Sequence, residues 1–423
     1  MNKQTNVKHI NLKAVISLAI IVALGPAAID MYLASMPNMA TDLNTSYATT
    51  QITLTVFLIF MGLGQLVFGP VSDAIGRITP LFAGLLAYIG ASVWAMWSQS
   101  IESLIFARIL QGLGASMAIV VVMSMVRDLV DGPKAAQIYA LLNTIVALGP
   151  IVAPAIGGIV APAIGGIVGA HYGWRGVMFI LAALGMIVLI NTLLNIKETL
   201  PKDKRIQLNI KNITGIYIAI LKNKTFVFNL FALSAVYFFL FAYIGGSAYV
   251  YQTDYGLSLE QFGFVFGLTS ISLILGASST AYLVKKISAS HLALIGAGVM
   301  MLGSAVCIVA YLLSMGLVGI VTGIALGLFG LGVLEATLMA IAMDSQRSAL
   351  GSSAALLGAI PMLLSSTATP IAGQLVEINT LYWLILLGVM GPIILALVYF
   401  SSRSLKPDST VATPSLEEAY AKS

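Results

Sequence analysis

Apolar residues run through this chain in long unbroken stretches, not in the alternating or every-third-residue pattern of an element that faces water on one side. Twelve such stretches are visible, over residues 14–35, 50–71, 79–98, 101–126, 135–168, 175–195, 225–251, 262–283, 291–313, 316–342, 351–375 and 380–401. Each is near or above the roughly 20 residues a helix needs to cross a bilayer. The pattern predicts an all-α membrane protein with twelve transmembrane helices. The first stretch comes after a basic tail, as in a signal peptide, but it is longer than the about 7 to 15 apolar residues of such a peptide and reads as a retained span.

One polar break is longer than the others. It divides the chain into an amino-terminal six-helix bundle over 1–196, a linker over 197–224, a carboxy-terminal six-helix bundle over 225–402 and a tail over 403–423. Two six-span halves around a site at the membrane midplane are the organisation of many carriers. Of 21 Lys and Arg residues, Arg108 lies inside a span and Arg175 falls in an outer loop if the amino terminus is cytoplasmic; the other nineteen then lie in inner loops or tails. Basic residues collect on the cytoplasmic side, so both termini are expected there.

Composition narrows the functions. The chain is 59% hydrophobic and 9% charged, with a mean hydropathy of +0.98, whereas soluble domains carry roughly 25% charged residues. The net charge of +5 reflects the loop asymmetry and implies no nucleic-acid partner. The single cysteine, Cys307, sits in an apolar run and reads as a small core residue. No phosphate-binding G-x-x-x-x-G-K-[ST] loop and no H-E-x-x-H pair occurs, which argues against ATP-driven pumping and against a zinc protease. Neither a cofactor nor a metal is expected, and the chain does not read as an enzyme.

Residues 149–169 hold the least ordinary segment. The octad Ile151–Gly158 recurs unchanged as Ile159–Gly166. Gly149, Pro150, Pro154, Gly157 and Gly158 mark the first copy, and Pro162, Gly165 and Gly166 the second. Small residues let a neighbouring helix approach, and proline bends the axis, so the segment is either a tight seam or a bend that gates a pathway. Eight added residues lengthen a helix by about 12 Å and rotate the rest of it by about 80°. Both copies therefore cannot show the same face to one neighbour. The first copy is expected to hold the membrane position and the second to extend or unwind near His171 and Trp174. In the competing arrangement the second copy keeps the seam.

Three ionisable residues lie well inside spans: Asp30, Arg108 and Glu335. Such residues usually face a cavity or one another. Counting 1.5 Å per residue puts Asp30 about 25 Å from Lys13 and Arg108 about 28 Å from Arg127, so the two can be level. They are expected to be coupled, directly or through water and Gln111. Burial favours a neutral carboxyl and an approaching arginine favours the charged one, so an acid that moves between the two settings binds and releases a proton. Glu335 is a second proton carrier, a counter-charge for cationic substrates or a neutral hydrogen-bonded acid. The seventh span is rich in aromatic rings, which suit a permissive apolar pocket. Tyr32, Gln111, Tyr237, Phe238 and Phe241 are the candidate pocket residues.

The loop after the second span reads Gly69-Pro-Val-Ser-Asp73-Ala-Ile-Gly76-Arg77, and the fourth span carries Arg108-Ile-Leu-Gln-Gly112. Over essentially the whole chain this resembles the major facilitator superfamily, and within it the twelve-span drug:proton antiporters of the bicyclomycin and chloramphenicol group. Gly69, Asp73, Gly76 and Arg77 match that superfamily's cytoplasmic loop signature, with Ala74 and Ile78 where basic residues are usual. Asp30-Met-Tyr32 resembles its first-span aspartate segment, with Ala34 where proline is common. The doubled octad is similar to G-x-x-x-G-P-x-x-G-G, which accompanies antiport. The resemblance implies a monomeric, multi-pass protein of the bacterial inner membrane that exchanges protons for small amphipathic drugs, phenicols first among them. A proton-coupled metabolite or sugar carrier of the same fold is the alternative, as is a nontransporting receptor or assembly factor.

Overall fold

A computed structural model describes residues 12–128, 149–205, 210–346 and 350–404. Helices account for nearly all of them. The first half contains α1 (Leu12–Leu33), α2 (Met36–Asp42), α3 (Tyr47–Ile75), α4 (Ile78–Trp97), α5 (Ile101–Asp128) and α6 (Gly149–Asn195). After the linker helix α7 (Ile210–Leu221) come α8 (Lys224–Tyr249), α9 (Leu259–Leu283), α10 (Ala289–Leu312), α11 (Gly316–Asp344), α12 (Leu350–Ser365), α13 (Ala368–Ile378) and α14 (Thr380–Ser404).

Ten of the described helices are long and apolar enough to cross a membrane, and the bent pair of Ile20–Leu33 and Met36–Asp42 makes eleven. That pair turns by 64°, with Pro37 opening the second piece, so the bend arises without a proline at Ala34. The twelfth crossing is inside α6. Its 47 residues would reach about 70 Å, more than twice the hydrocarbon thickness, and Gly173, at φ 67°, breaks it in two. Local sequence sets the other boundaries. Ser46 and Asn223 accept the Thr49 and Phe226 N–H groups at the starts of α3 and α8. Ser258 and Gln261 form a reciprocal cap on α9. Such side chains satisfy donors that a helix start leaves unpaired.

Within the first half, α3 and α4 pack on α5, and α1 and α4 pack on α6. In the second, α9 and α10 pack on α11, while α14 packs on α8 and α10. Two seams join them: α6 against α9, and α3 against α12 and α13. The first seam corrects the expectation for the repeated octad. The second copy is packed in this seam and is helical, not extended or unwound. A Cβ on Gly165 would lie 2.6 Å from the Met31 Cα, and one on Gly166 would lie 3.2 Å from the Glu260 Cα. From the other side, a Cβ on Gly263 would lie 3.1 Å from the Ala163 Cα. Only glycine permits such approach. Pro162 is buried in this contact region. The backbone of the first copy continues the helix, while the side chains of Pro150 and Pro154, and the surroundings of Gly149, Gly157 and Gly158, lie outside the described residues.

At the end of the bundle that carries Arg175 the halves are tied together. Tyr47 and Gln51 both donate to the Gly245 carbonyl, at 2.8 and 3.1 Å. Glu377 accepts the Tyr47 N–H at 2.9 Å, capping α3 from the other half. Gln252 donates to the Ala34 carbonyl at 2.9 Å, and Thr55 and Thr369 share a hydroxyl bond of 2.9 Å. His171 lies 3.8 Å from Glu260. A knot within the first half completes this end: Asp42 accepts from Trp174 at 2.8 Å and pairs with Arg175, which also donates to the Ser98 carbonyl.

Candidate functional site

Arg108 is fully buried on α5. Its Nη1 donates to Gln111 Oε1 at 2.6 Å, one turn further along the same helix, and to the Ala28 carbonyl of α1 at 3.2 Å. Its Nε reaches the Thr53 carbonyl of α3 at 3.4 Å. The guanidinium carbon lies 4.6 Å from the Tyr32 ring centre and 4.4 Å from that of Phe57. A cation between two aromatic faces and carbonyl oxygens is partly compensated without a carboxylate. Gln111 passes the connection on to Ser92 at 2.8 Å, and Tyr32 bonds Thr53 at 2.8 Å. Arg108 thus joins α1 and α3 to α5, and Gln111 brings in α4. Arg108 Nη2 has no hydrogen-bond partner among the described residues.

The expected direct pairing of Asp30 with Arg108 is absent. Asp30 forms no ion pair or hydrogen bond among the described residues, although Ala28, two positions earlier, supplies a carbonyl to Arg108. Asp30 is only partly covered, yet lies deep among the helices, so its open face points into the interior. Rise per residue places two side chains at one depth but does not give their bearing around each helix.

Of the second-half candidates, Tyr237 donates to Glu335 Oε1 at 2.7 Å, and its ring centre is 6.3 Å from that of buried Phe241. Phe238 turns elsewhere. It lines a recess of about 260 Å³ with Phe231, Ser234, Ala235, Leu364 and Met390, and the exposure of Phe231 puts that recess at the bundle surface. Tyr32, Gln111, Tyr237 and Phe241 therefore surround two separate polar centres, one in each half.

The loop signature forms a third cluster. Gly76, at φ 101°, ends α3 and turns the chain so that Arg77 is buried. Arg77 pairs with Asp73 at 2.6 Å and with Asp128 at 2.7 Å, and donates to Ser72 at 2.7 Å. Gly69 supplies the carbonyl that Ser72 bonds at 2.8 Å. Glu198, just past α6, accepts the N–H groups of Arg77 and Ile78 at the start of α4, at 3.0 and 3.3 Å, and lies 3.7 Å from Arg205. Asp128, Glu198 and Arg205 were not distinguishable in the sequence from ordinary loop charges. Their one signal is position, an acid at the end of the fourth span and an acid–base pair directly after the sixth.

Comparison with known proteins adds four findings. The family model described as Major Facilitator Superfamily matches residues 18–357. An uncharacterized MFS-type transporter, YdgK of Bacillus subtilis (strain 168), is 32% identical over 84% of this chain and 87% of its own length. A bicyclomycin resistance protein homolog of Haemophilus influenzae is 25% identical over 93% of the chain and 97% of its own. Multidrug resistance protein MdtL of Escherichia coli O6:H1 is 34% identical over 43% of the chain and 44% of its own length.

Proposed function

The chain belongs to the major facilitator superfamily, and on that premise we propose that it exports small amphipathic drugs, phenicols among them, in exchange for protons. The resistance-protein relatives support the substrate class. The observation that carries the proton reading is Asp30, an acid deep in the first half with no hydrogen-bond or ion-pair partner among the described residues. Such a carboxyl is stable only when neutral, and it ionises when water or a cation reaches it. Arg108, held by Gln111, Ala28 and two rings, fixes the bundle around that acid and supplies a positive field without quenching it by contact. Asp30 is the proton carrier and Arg108 its positioning residue.

In this reading the Arg175 end faces outward, both termini are cytoplasmic, and the protein sits in the inner membrane of a bacterium as a monomer. The two bundles, 1–196 and 225–402, rock against each other about the seams, with the 197–224 segment as linker. The structure is then the outward-closed state, and Asp30 exchanges its proton toward the cytoplasm. The seam glycines Gly165 and Gly166 are the surface on which the gate turns, and the cluster of Asp73, Gly76 and Arg77 braces the cytoplasmic side. The test uses proteoliposomes holding the purified chain. A phenicol added to de-energised vesicles is expected to release protons, and an imposed pH gradient to drive accumulation. Accumulation unaffected by collapsing the gradient would sink the proton coupling.

A further inference from the structure

The linker helix α7 has two unlike sides. Ile216 and Tyr217 lie four and three positions before Ile220, so the three share a face; Ile220 is buried and the other two pack against the core. Ile218 and Leu221, on the other side, are exposed. The end of α7 is fixed to the second half. Its Ala219 and Ile220 carbonyls take the N–H groups of Lys222 and Asn223 at 3.2 and 3.0 Å, and Asn223 then caps α8 and donates to the Ser345 carbonyl at 3.3 Å. α7 also packs on α12. Tyr217 crosses to the first half, where its hydroxyl donates to the Leu66 carbonyl of α3 at 3.4 Å. Leu66 lies about 14 Å short of the end of α3. One turn before it, at Gly62, α3 meets α12 so closely that a Cβ would lie 3.0 Å from the Ala359 carbonyl oxygen. α7 thus bridges α12 and α3 on the side of their contact away from Arg175. Packed side chains do not interpenetrate. If the halves rock about the Gly62 contact so that the Arg175 end opens, α3 and α12 close on each other where Tyr217 stands.

We propose that α7 is a strut: carried by the second half, it is held against α3 through Tyr217 while the Arg175 end is closed, and it must swing out before that end opens. The proposal rests on the reading of the chain as a carrier with two alternating states. A contact made in one state and lost in the other favours the first by the whole of that difference. Tyr217 is therefore a positioning residue of the cycle, apart from the proton and drug sites.

The test places a reporter, Thr369→Cys, in the full chain. Thr369 bonds Thr55 across the halves, so its reaction with a membrane-impermeant maleimide in right-side-out vesicles reads the opening of the Arg175 end. Tyr217→Phe is expected to raise the labelling rate about threefold, as loss of one long hydrogen bond would. Ile216→Ala combined with Tyr217→Ala removes the packed face and is expected to raise it at least about tenfold; Tyr217→Phe alone carries the test if that chain fails to insert. Ile218→Ala, on the exposed side, is expected to leave the rate unchanged. The native thiol of Cys307 is buried, and its reaction in the same variants without the reporter gauges general loosening. Labelling unaltered by the Tyr217 variants, an equal rise with Ile218→Ala, or an equal rise at Cys307 overturns the strut. Drug efflux is measured alongside. A chain whose labelling shifts as expected but which exports no drug keeps the strut and removes the exporter. A chain that exports drug with labelling indifferent to Tyr217 removes the strut alone.

Discussion

Arg108 sits in the membrane with a borrowed coordination shell: two backbone carbonyls, one amide oxygen and two ring faces. A lysine cannot reproduce it, because an ammonium is a point charge without the planar fork that reaches Gln111, Ala28 and Thr53 together. Arg108→Ala and Arg108→Lys are both expected to abolish drug efflux while still inserting. Wild-type efflux from either at equal expression would remove Arg108 from the mechanism. At Asp30 the substitution to Asn mimics the protonated acid, so substrate binding should persist and gradient-driven accumulation vanish. Unchanged accumulation in vesicles would transfer the proton to Glu335. The charges themselves were legible in the sequence, since each stands alone in an apolar run. So was the Arg108–Gln111 contact, because residues three apart share a helix face. The partners of Arg108 on other helices were not legible, because carbonyls of Ala28 and Thr53 carry no side-chain signature.

Among the elements, α4 owes its start to a carboxylate from elsewhere in the chain. Burial works against ionising Glu198, but the N–H groups of Leu200, Arg77 and Ile78 and the charge of Arg205 outweigh it and hold the carboxyl below its ordinary range. A lowered folded-state value contributes stability above the ordinary carboxyl range and loses it as pH falls through the lowered value. At neutral pH the cap is therefore fully present. Glu198→Gln is expected to lower the thermal midpoint in detergent at pH 7 and to flatten its decline toward acid; an unchanged midpoint and slope would show that the cap contributes nothing. In α6 the repeat was plain in the sequence, yet the packing of its second copy depends on contacts beyond it. Deleting Ile151–Gly158 or Ile159–Gly166 yields the same chain. With the seam kept at Met31 and Glu260, the deletion draws the segment before Gly149 along the axis by about 12 Å and turns it by about 80°. Efflux of several drugs at matched expression should shift in rate or range. An identical profile would mean that the extra turns do not affect transport.

For the whole molecule, the proposed exporter alternates between states, and the ties at the Arg175 end would set the balance between them. Tyr47→Phe with Gln51→Leu removes both donors to the Gly245 carbonyl at a net cost of about 1 kcal/mol for each bond, enough to shift the balance toward the other state about thirtyfold. A cysteine placed at Thr369, buried opposite Thr55, should then react faster with a membrane-impermeant maleimide; an unaltered rate would mean that other contacts hold this end closed. The knot at Asp42 has a different bearing. The membrane cannot tell one octad from the other, since both present the same glycines and proline at the same spacing. A slip by one octad would offer Met31 and Glu260 an identical glycine face, so the seam alone leaves the chain with two threadings of one sequence. What separates them is the fixed count of residues from Gly166 to Trp174 and Arg175, which reach Asp42 and Ser98 in one threading and would be displaced by about 12 Å and 80° in the other. A charged loop contact thus acts as an index mark, giving a repetitive helix a single zero point.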